Sequence, residues 1–190
     1  ARLAAAVEAA NAAVIEAALN GLGKPGMGCT ATCAYIENDT LAIAHVGDSR
    51  AYLLHEGTLI RVTRDHSYVE ELVDAGEITA DEARVHPNRS VITRALGSDP
   101  AMYADHFTLH IEEGDRLILC SDGLSSMIPD SDIENIATQS STAQICVDNL
   151  VDAALAAGGH DNVTVVVVDL VDDGVMREAK RVRRRNVTIA

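Results

Sequence analysis

Four short runs rich in β-branched and small apolar residues crowd into one stretch of the chain, at 29–36, 40–46, 50–55 and 58–62. Between the last two stands Glu56-Gly57, a pair suited to a hairpin turn. Short strands joined by tight turns at this spacing indicate an antiparallel sheet. Ahead of them, residues 2–19 are Ala-rich, with Leu3, Val7, Val14, Ile15 and Leu19 among the larger apolar positions of a helical pattern. Gly21, Gly23, Pro25, Gly26 and Gly28 end that helix.

The texture changes at Thr63-Arg64-Asp65-His66-Ser67. Residues 67–86 read helical with a break at Gly76, and Thr79 with Glu82 three residues on can cap a second short helix. This insert, at about 65–90, is either a movable lid or an ordinary surface excursion. Strands are expected at 103–111 and 116–121, helices at 130–138 and 141–157, and the β-branched run 163–170 fits a central strand. Helices and antiparallel strands are segregated, so the fold class is α+β, not a doubly wound α/β fold.

At 190 residues the chain suits one domain with a sizeable core. That core must be aliphatic, because the only aromatic residues are four Tyr and one Phe. No apolar run reaches the length of a membrane span, and no signal-peptide pattern opens the chain. Cys29, Cys33, Cys120 and Cys146 contain no C-x-x-C and read as reduced, buried structural thiols of a cytoplasmic protein. The net charge of −14 argues against a nucleic-acid partner. It suits a site that collects divalent cations, and solubility explains it equally well. The positive charge gathers at 171–190, a basic tail or linker that allows membrane proximity through anionic lipid.

Three aspartates occupy the same kind of place. Asp48 lies in Val46-Gly47-Asp48-Ser49-Arg50, Asp122 follows the apolar run Leu117-Ile118-Leu119-Cys120, and Asp161 follows Gly158-Gly159-His160. Each stands at a strand end close to glycine. Taken singly, each is a turn or capping residue. Strand ends on one rim can gather them, and clustered carboxylates need a counter-charge, for which Mg²⁺ or Mn²⁺ is the usual answer. Other schemes lack support: no G-x-S-x-G, P-loop or dinucleotide fingerprint is present, and the seven histidines carry no ligand motif.

Six runs then stand in one order: Gly26-Met27-Gly28-Cys29-Thr30-Ala31-Thr32, Val46-Gly47-Asp48-Ser49-Arg50-Ala51-Tyr52, Thr63-Arg64-Asp65-His66-Ser67, Val91-Ile92-Thr93-Arg94-Ala95-Leu96-Gly97, Cys120-Ser121-Asp122-Gly123-Leu124 and Gly158-Gly159-His160-Asp161-Asn162-Val163-Thr164. In these the chain resembles the bacterial branch of the metal-dependent serine/threonine protein phosphatases, type 2C. The resemblance implies a sandwich of two antiparallel β-sheets flanked by helices. It implies hydrolysis of phosphoserine and phosphothreonine on proteins, the substrates of a serine/threonine kinase, by a metal-activated water. It implies two central Mg²⁺ or Mn²⁺ ions and a weaker third. By this resemblance Asp122 and Asp161 bind one central ion, Asp48 joins Asp122 at the third, and the insert at 65–90 is the flap tied to substrate handling.

The family also begins with an acidic motif and an Asp-Gly-x-Gly-Gly run that supply a bridging aspartate, an arginine and a histidine. This sequence has neither. The expectation is a phosphatase-like domain over 1–170 that lacks its leading strands, inactive or nearly so as it stands. It is either a fragment of a longer enzyme, in the cytoplasm or in the cytoplasmic part of a membrane-anchored protein, or a pseudophosphatase that binds phosphoproteins without turnover.

Overall fold

The computed structural model describes residues 2–171; the basic segment, from residue 172 on, lies outside the described residues. In runs along the chain stand strands β1 (Ala31–Glu37), β2 (Thr40–Val46), β3 (Arg50–His55), β4 (Thr58–Arg61), β5 (Asp105–His110), β6 (Arg116–Cys120) and β7 (Val165–Asp169) and helices α1 (Arg2–Leu19), α2 (Tyr68–Asp74), α3 (Ala80–Val85), α4 (Asp122–Ser125), α5 (Asp130–Gln139) and α6 (Ala143–Ala156). All pairings are antiparallel. They make two sheets, ordered β1-β2-β5 and β4-β3-β6-β7.

The two-residue period of the strands builds the layers. Leu41 and Ile43 of β2, Ala51 and Leu53 of β3 and Leu117 of β6 meet in one apolar cluster. Their sequence neighbours Tyr52, Ile118 and Cys120 point the other way, into a cluster with Leu124, Ile133, Cys146 and Leu150 of α4, α5 and α6. On the other sheet Ala44 and Val46 pack with Val7 of α1. The result is helix, sheet, sheet, helices, as expected of an α+β sandwich. Each fully buried Leu or Ile in these layers contributes about 1.5–3 kcal/mol relative to exposure.

Polar groups tie the layers. Asn11 is buried in α1, where Nδ2 donates to Asp99 O at 2.8 Å and Oδ1 accepts from Gly97 N at 2.7 Å. Arg116 donates from Nε to Asp169 at 2.6 Å and from Nη1 to the carbonyls of Ala137 and Ser140 at 2.6 and 2.9 Å, closing the C-terminal end of α5. The insert forms as its sequence suggests: Ser67 caps α2, and Thr79 and Glu82 form a reciprocal capping box on α3.

Two expectations are corrected. Among the described residues the run 163–170 is not a central strand. Among the described residues β7 pairs with β6 alone and stands at the sheet edge, where Val166 is 49 % exposed. A Val-rich run can line an edge when its faces are covered, here by α6 on one side and by the cluster between the sheets, with Val168 and Leu170, on the other. Cys29 lies outside β1 and is exposed; its backbone bonds to Leu96 instead. The buried-thiol reading holds for Cys120 and Cys146, and all four cysteines are free.

Candidate functional site

Strand register carries the three aspartates to one rim. Arg50, which opens β3, faces Cys120, which ends β6, and Cys120 faces Val165, which opens β7. Asp48 precedes Arg50 by two residues, Asp122 follows Cys120 by two, and Asp161 precedes Val165 by four. All three leave the same end of one sheet, and they line a single pocket of ≈ 460 Å³.

The residues around Asp122 hold it beside the Asp161 loop. Ser121 N–H donates to Thr164 O at 3.0 Å, Thr164 N–H donates to Ser121 Oγ at 3.0 Å, and Ser121 Oγ donates to Asn162 O at 3.1 Å. A Cβ on Gly123 would lie 2.3 Å from Asn162 O. Gly123 is thus required for close approach of two chain segments and not, as its place after a strand suggests, for a tight turn. The N-cap of α4 is Ser121 and Asp122 is the first helical residue, so Asp122 is not a cap.

Charge in this pocket is unbalanced. Burial first, then the Asp122 and Asp65 carboxylates, push the Asp48 pKa up to about 6. Burial first, then Asp161, raise that of Asp122. Among the described residues none of Asp48, Asp122 and Asp161 forms an ion pair. Asp65, in the same pocket, differs. It takes Arg50 Nη2 and Arg61 Nη2, each at 2.8 Å. Arg50 Nη1 is turned instead to Tyr52 Oη at 3.1 Å and Asp130 at 3.3 Å. Sequence reasoning gave Asp65, Arg50 and Arg61 no role; the only signal was their place in or beside the recurring runs.

The insert forms the facing wall, through Val69, Glu70 and Val73 of α2 and Arg84 of α3. Arg84 Nη2 donates to Met127 O at 3.2 Å and so ties the insert to the segment after α4. Beneath the rim lie two neighbouring histidines, His45 and His66, with ring centroids 4.9 Å apart and ring planes tilted by 38°. Burial, then the neighbouring His66, lower the His45 pKa to about 4. Neutral His45 donates from Nε2 to Arg64 O at 3.0 Å, while its Nδ1 lies 2.9 Å from Thr32 Oγ1. His160 lines the pocket next to Asp161.

Unpaired oxygen donors held near one another suit a hard divalent cation. Among the described residues no three His, Cys, Asp or Glu side chains converge closely enough to hold an ion by themselves. Mg²⁺ is commonly held by one or two carboxylates with water in its other positions, so the rim fits such an ion as part of a ligand shell.

Comparison with known proteins settles the family. A family profile described as protein phosphatase 2C matches residues 8–163. The chain belongs to the protein phosphatase 2C family. The match spans the whole rim, with Asp48, Asp122 and Asp161 inside it. A Listeria welshimeri relative, serine/threonine phosphatase stp, is 36 % identical over 163 residues, which are 86 % of this chain and 65 % of that protein. The chain therefore spans a little under two-thirds of that relative's length. The crystal structure of the Mycobacterium tuberculosis serine/threonine phosphatase PstP superimposes with a TM-score of 0.83 at 40 % identity, covering 88 % of this chain and 71 % of PstP's. The PstP catalytic domain in complex with two manganese ions gives a TM-score of 0.80 at 39 % identity, covering 90 % and 70 %. Both likenesses bear out the 2C-type sandwich. No helix among the described residues is long and apolar enough to cross a membrane.

Proposed function

We propose that this chain belongs to an enzyme that hydrolyses phosphoserine and phosphothreonine on proteins with the help of Mg²⁺ or Mn²⁺. One observation carries the reading: aspartates from three separate segments line one pocket of a protein phosphatase 2C fold, with no ion-pair partner among the described residues. Relatives named as serine/threonine phosphatases, one of them crystallised with two manganese ions, support it.

Asp122 and Asp161 would hold one central ion, and Asp48 with Asp122 a third. When bound, such ions supply Lewis acidity to a water and to the phosphoryl group. The chain's own residues do the rest. The Ser121 bonds and the Gly123 contact keep the Asp122 and Asp161 segments in register. Asp65, through Arg50 and Arg61, joins β3 and β4 to the floor of the pocket. The insert, over about 65–90, is the flap that walls the pocket and receives the protein substrate. The phosphatase-like domain covers 1–170. Its substrates are phosphorylated proteins made by a serine/threonine kinase, and its free thiols suit a reducing cytoplasm.

The test uses the natural full-length protein and a phosphothreonine peptide. Phosphate release should require Mn²⁺ or Mg²⁺, stop with EDTA and return when metal is restored. Asp122→Asn should abolish it. Release that is undiminished by EDTA would overturn metal dependence. Binding of the phosphopeptide without release at any metal concentration would favour a phosphoprotein-binding role.

A further inference from the structure

His66 grips a single residue, Gly47, from both sides. Its backbone N–H donates to Gly47 O at 2.7 Å. Its ring Nδ1 accepts the Gly47 N–H at 3.0 Å. Gly47 is the residue before Asp48 and sits at φ +109°, where a Cβ would lie 2.3 Å from the Thr30 side chain. Nothing but glycine fits there, and glycine is also the residue least able to hold one backbone conformation unaided. An external restraint is needed at this position, and His66 supplies it.

The ring is itself restrained. Because Nδ1 accepts, the neutral imidazole carries its proton on Nε2, which donates to Asp105 Oδ2 at 3.2 Å. Asp105 Oδ1 receives Arg94 Nη1 at 2.6 Å, and the Arg94 guanidinium lies 4.2 Å from the centre of the Tyr103 ring. His66 is 2 % exposed, whereas Tyr103 is 59 % exposed. One line of contacts therefore runs from the exposed Tyr103, just ahead of β5, to the peptide that carries Asp48.

We propose that His66 is a positioning residue for Asp48: it fixes the Gly47 peptide on both sides and so aims the Asp48 carboxylate at the pocket. The proposal rests on reading Asp48 as a donor to a divalent cation. Groups that orient a metal ligand typically change metal affinity by about 10–100-fold when removed.

Two substitutions separate positioning from bulk stability. In His66→Asn the amide oxygen lies near the place of Nδ1 and can still accept from Gly47. In His66→Gln the amide reaches the place of Nε2, so Asp105 keeps a partner and Gly47 loses its acceptor. Both are made in the natural full-length protein beside Asp48→Asn. Mn²⁺ binding is followed by titration with detection of free Mn²⁺, and Gly47 amide exchange by NMR. His66→Gln should speed Gly47 exchange and weaken the weaker class of Mn²⁺ sites by about ten-fold or more, as Asp48→Asn does. His66→Asn should leave both close to wild type, whatever stability each variant loses. Equal Mn²⁺ affinity in the two His66 variants, or Gly47 exchange as slow in His66→Gln as in wild type, would overturn the proposal. If Asp48→Asn itself leaves Mn²⁺ binding unchanged, the metal role of Asp48 fails, and Gly47 exchange then decides the hold on its own.

Discussion

Gly123 and Asn162 touch so closely that the side chain glycine lacks would fall 2.3 Å from the Asn162 carbonyl oxygen. The contact joins the segment carrying Asp122 to the segment carrying Asp161. Gly123→Ala should force the two apart at a cost of about 1–3 kcal/mol, the usual range for overpacking a buried contact. Urea unfolding measures the loss, and Mn²⁺ titration should show weaker binding with Asp122 and Asp161 both still present. Unchanged stability and unchanged Mn²⁺ affinity would mean that the loop yields freely.

Arg116 is buried and serves three acceptors on β7 and at the end of α5. Arg116→Met keeps much of the apolar stem but strands Asp169 and two carbonyls. The expected loss is about 3 kcal/mol in chemical denaturation, since removing one partner leaves buried polar groups unmet. A change below about 0.5 kcal/mol, the level of an ordinary surface substitution, would show that water takes over these bonds.

Asn11 bridges α1 to the 97–99 loop with both ends of its amide. Asn11→Leu has a similar volume and no polar group. It should cost roughly 2–4 kcal/mol, because Gly97 N–H and Asp99 O each lose a buried partner. Thermal unfolding of the variant against wild type checks this.

His45 makes the fold sensitive to acid. Its pKa is about 4 when folded, against 6.5 for an ordinary histidine. Between those values the unfolded chain binds a proton that the folded chain refuses. The His45 contribution is therefore complete above pH 6.5 and is lost as pH falls towards 4, by about 2 kcal/mol at pH 5 and about 3 kcal/mol at pH 4. His45→Gln removes the titrating group. The drop in unfolding free energy between pH 7 and pH 5 should be smaller for the variant than for wild type by about 2 kcal/mol. Equal drops would show that His45 does not carry the effect.

Much of this architecture is legible in the chain because local signals agree with tertiary ones. Glu56-Gly57 marks the β3–β4 turn, and Thr79 with Glu82 marks the start of α3. The positions of Asp48, Asp122 and Asp161 at strand ends are equally local. What local signals do not carry is pairing at a distance. The β-branched pattern of 163–170 says nothing of how many neighbours a strand has, so β7 at an edge was not foreseen. Gly123 reads as a turn residue until the Asn162 loop is seen resting on it. Asp65 looks in sequence like Asp48, Asp122 and Asp161, yet two arginines from different strands pair with it, while Asp48 has no ion pair among the described residues.

The central claim is that Asp122 is shared between two cation sites, one with Asp161 and one with Asp48. The most direct test is Mn²⁺ binding to the natural full-length protein, measured by calorimetric titration for wild type, Asp48→Asn, Asp122→Asn and Asp161→Asn. The account predicts that Asp161→Asn weakens the tighter class of sites, Asp48→Asn weakens only the weaker class, and Asp122→Asn weakens both, each by about ten-fold or more. Mn²⁺ binding by Asp122→Asn with wild-type stoichiometry and affinity would contradict it.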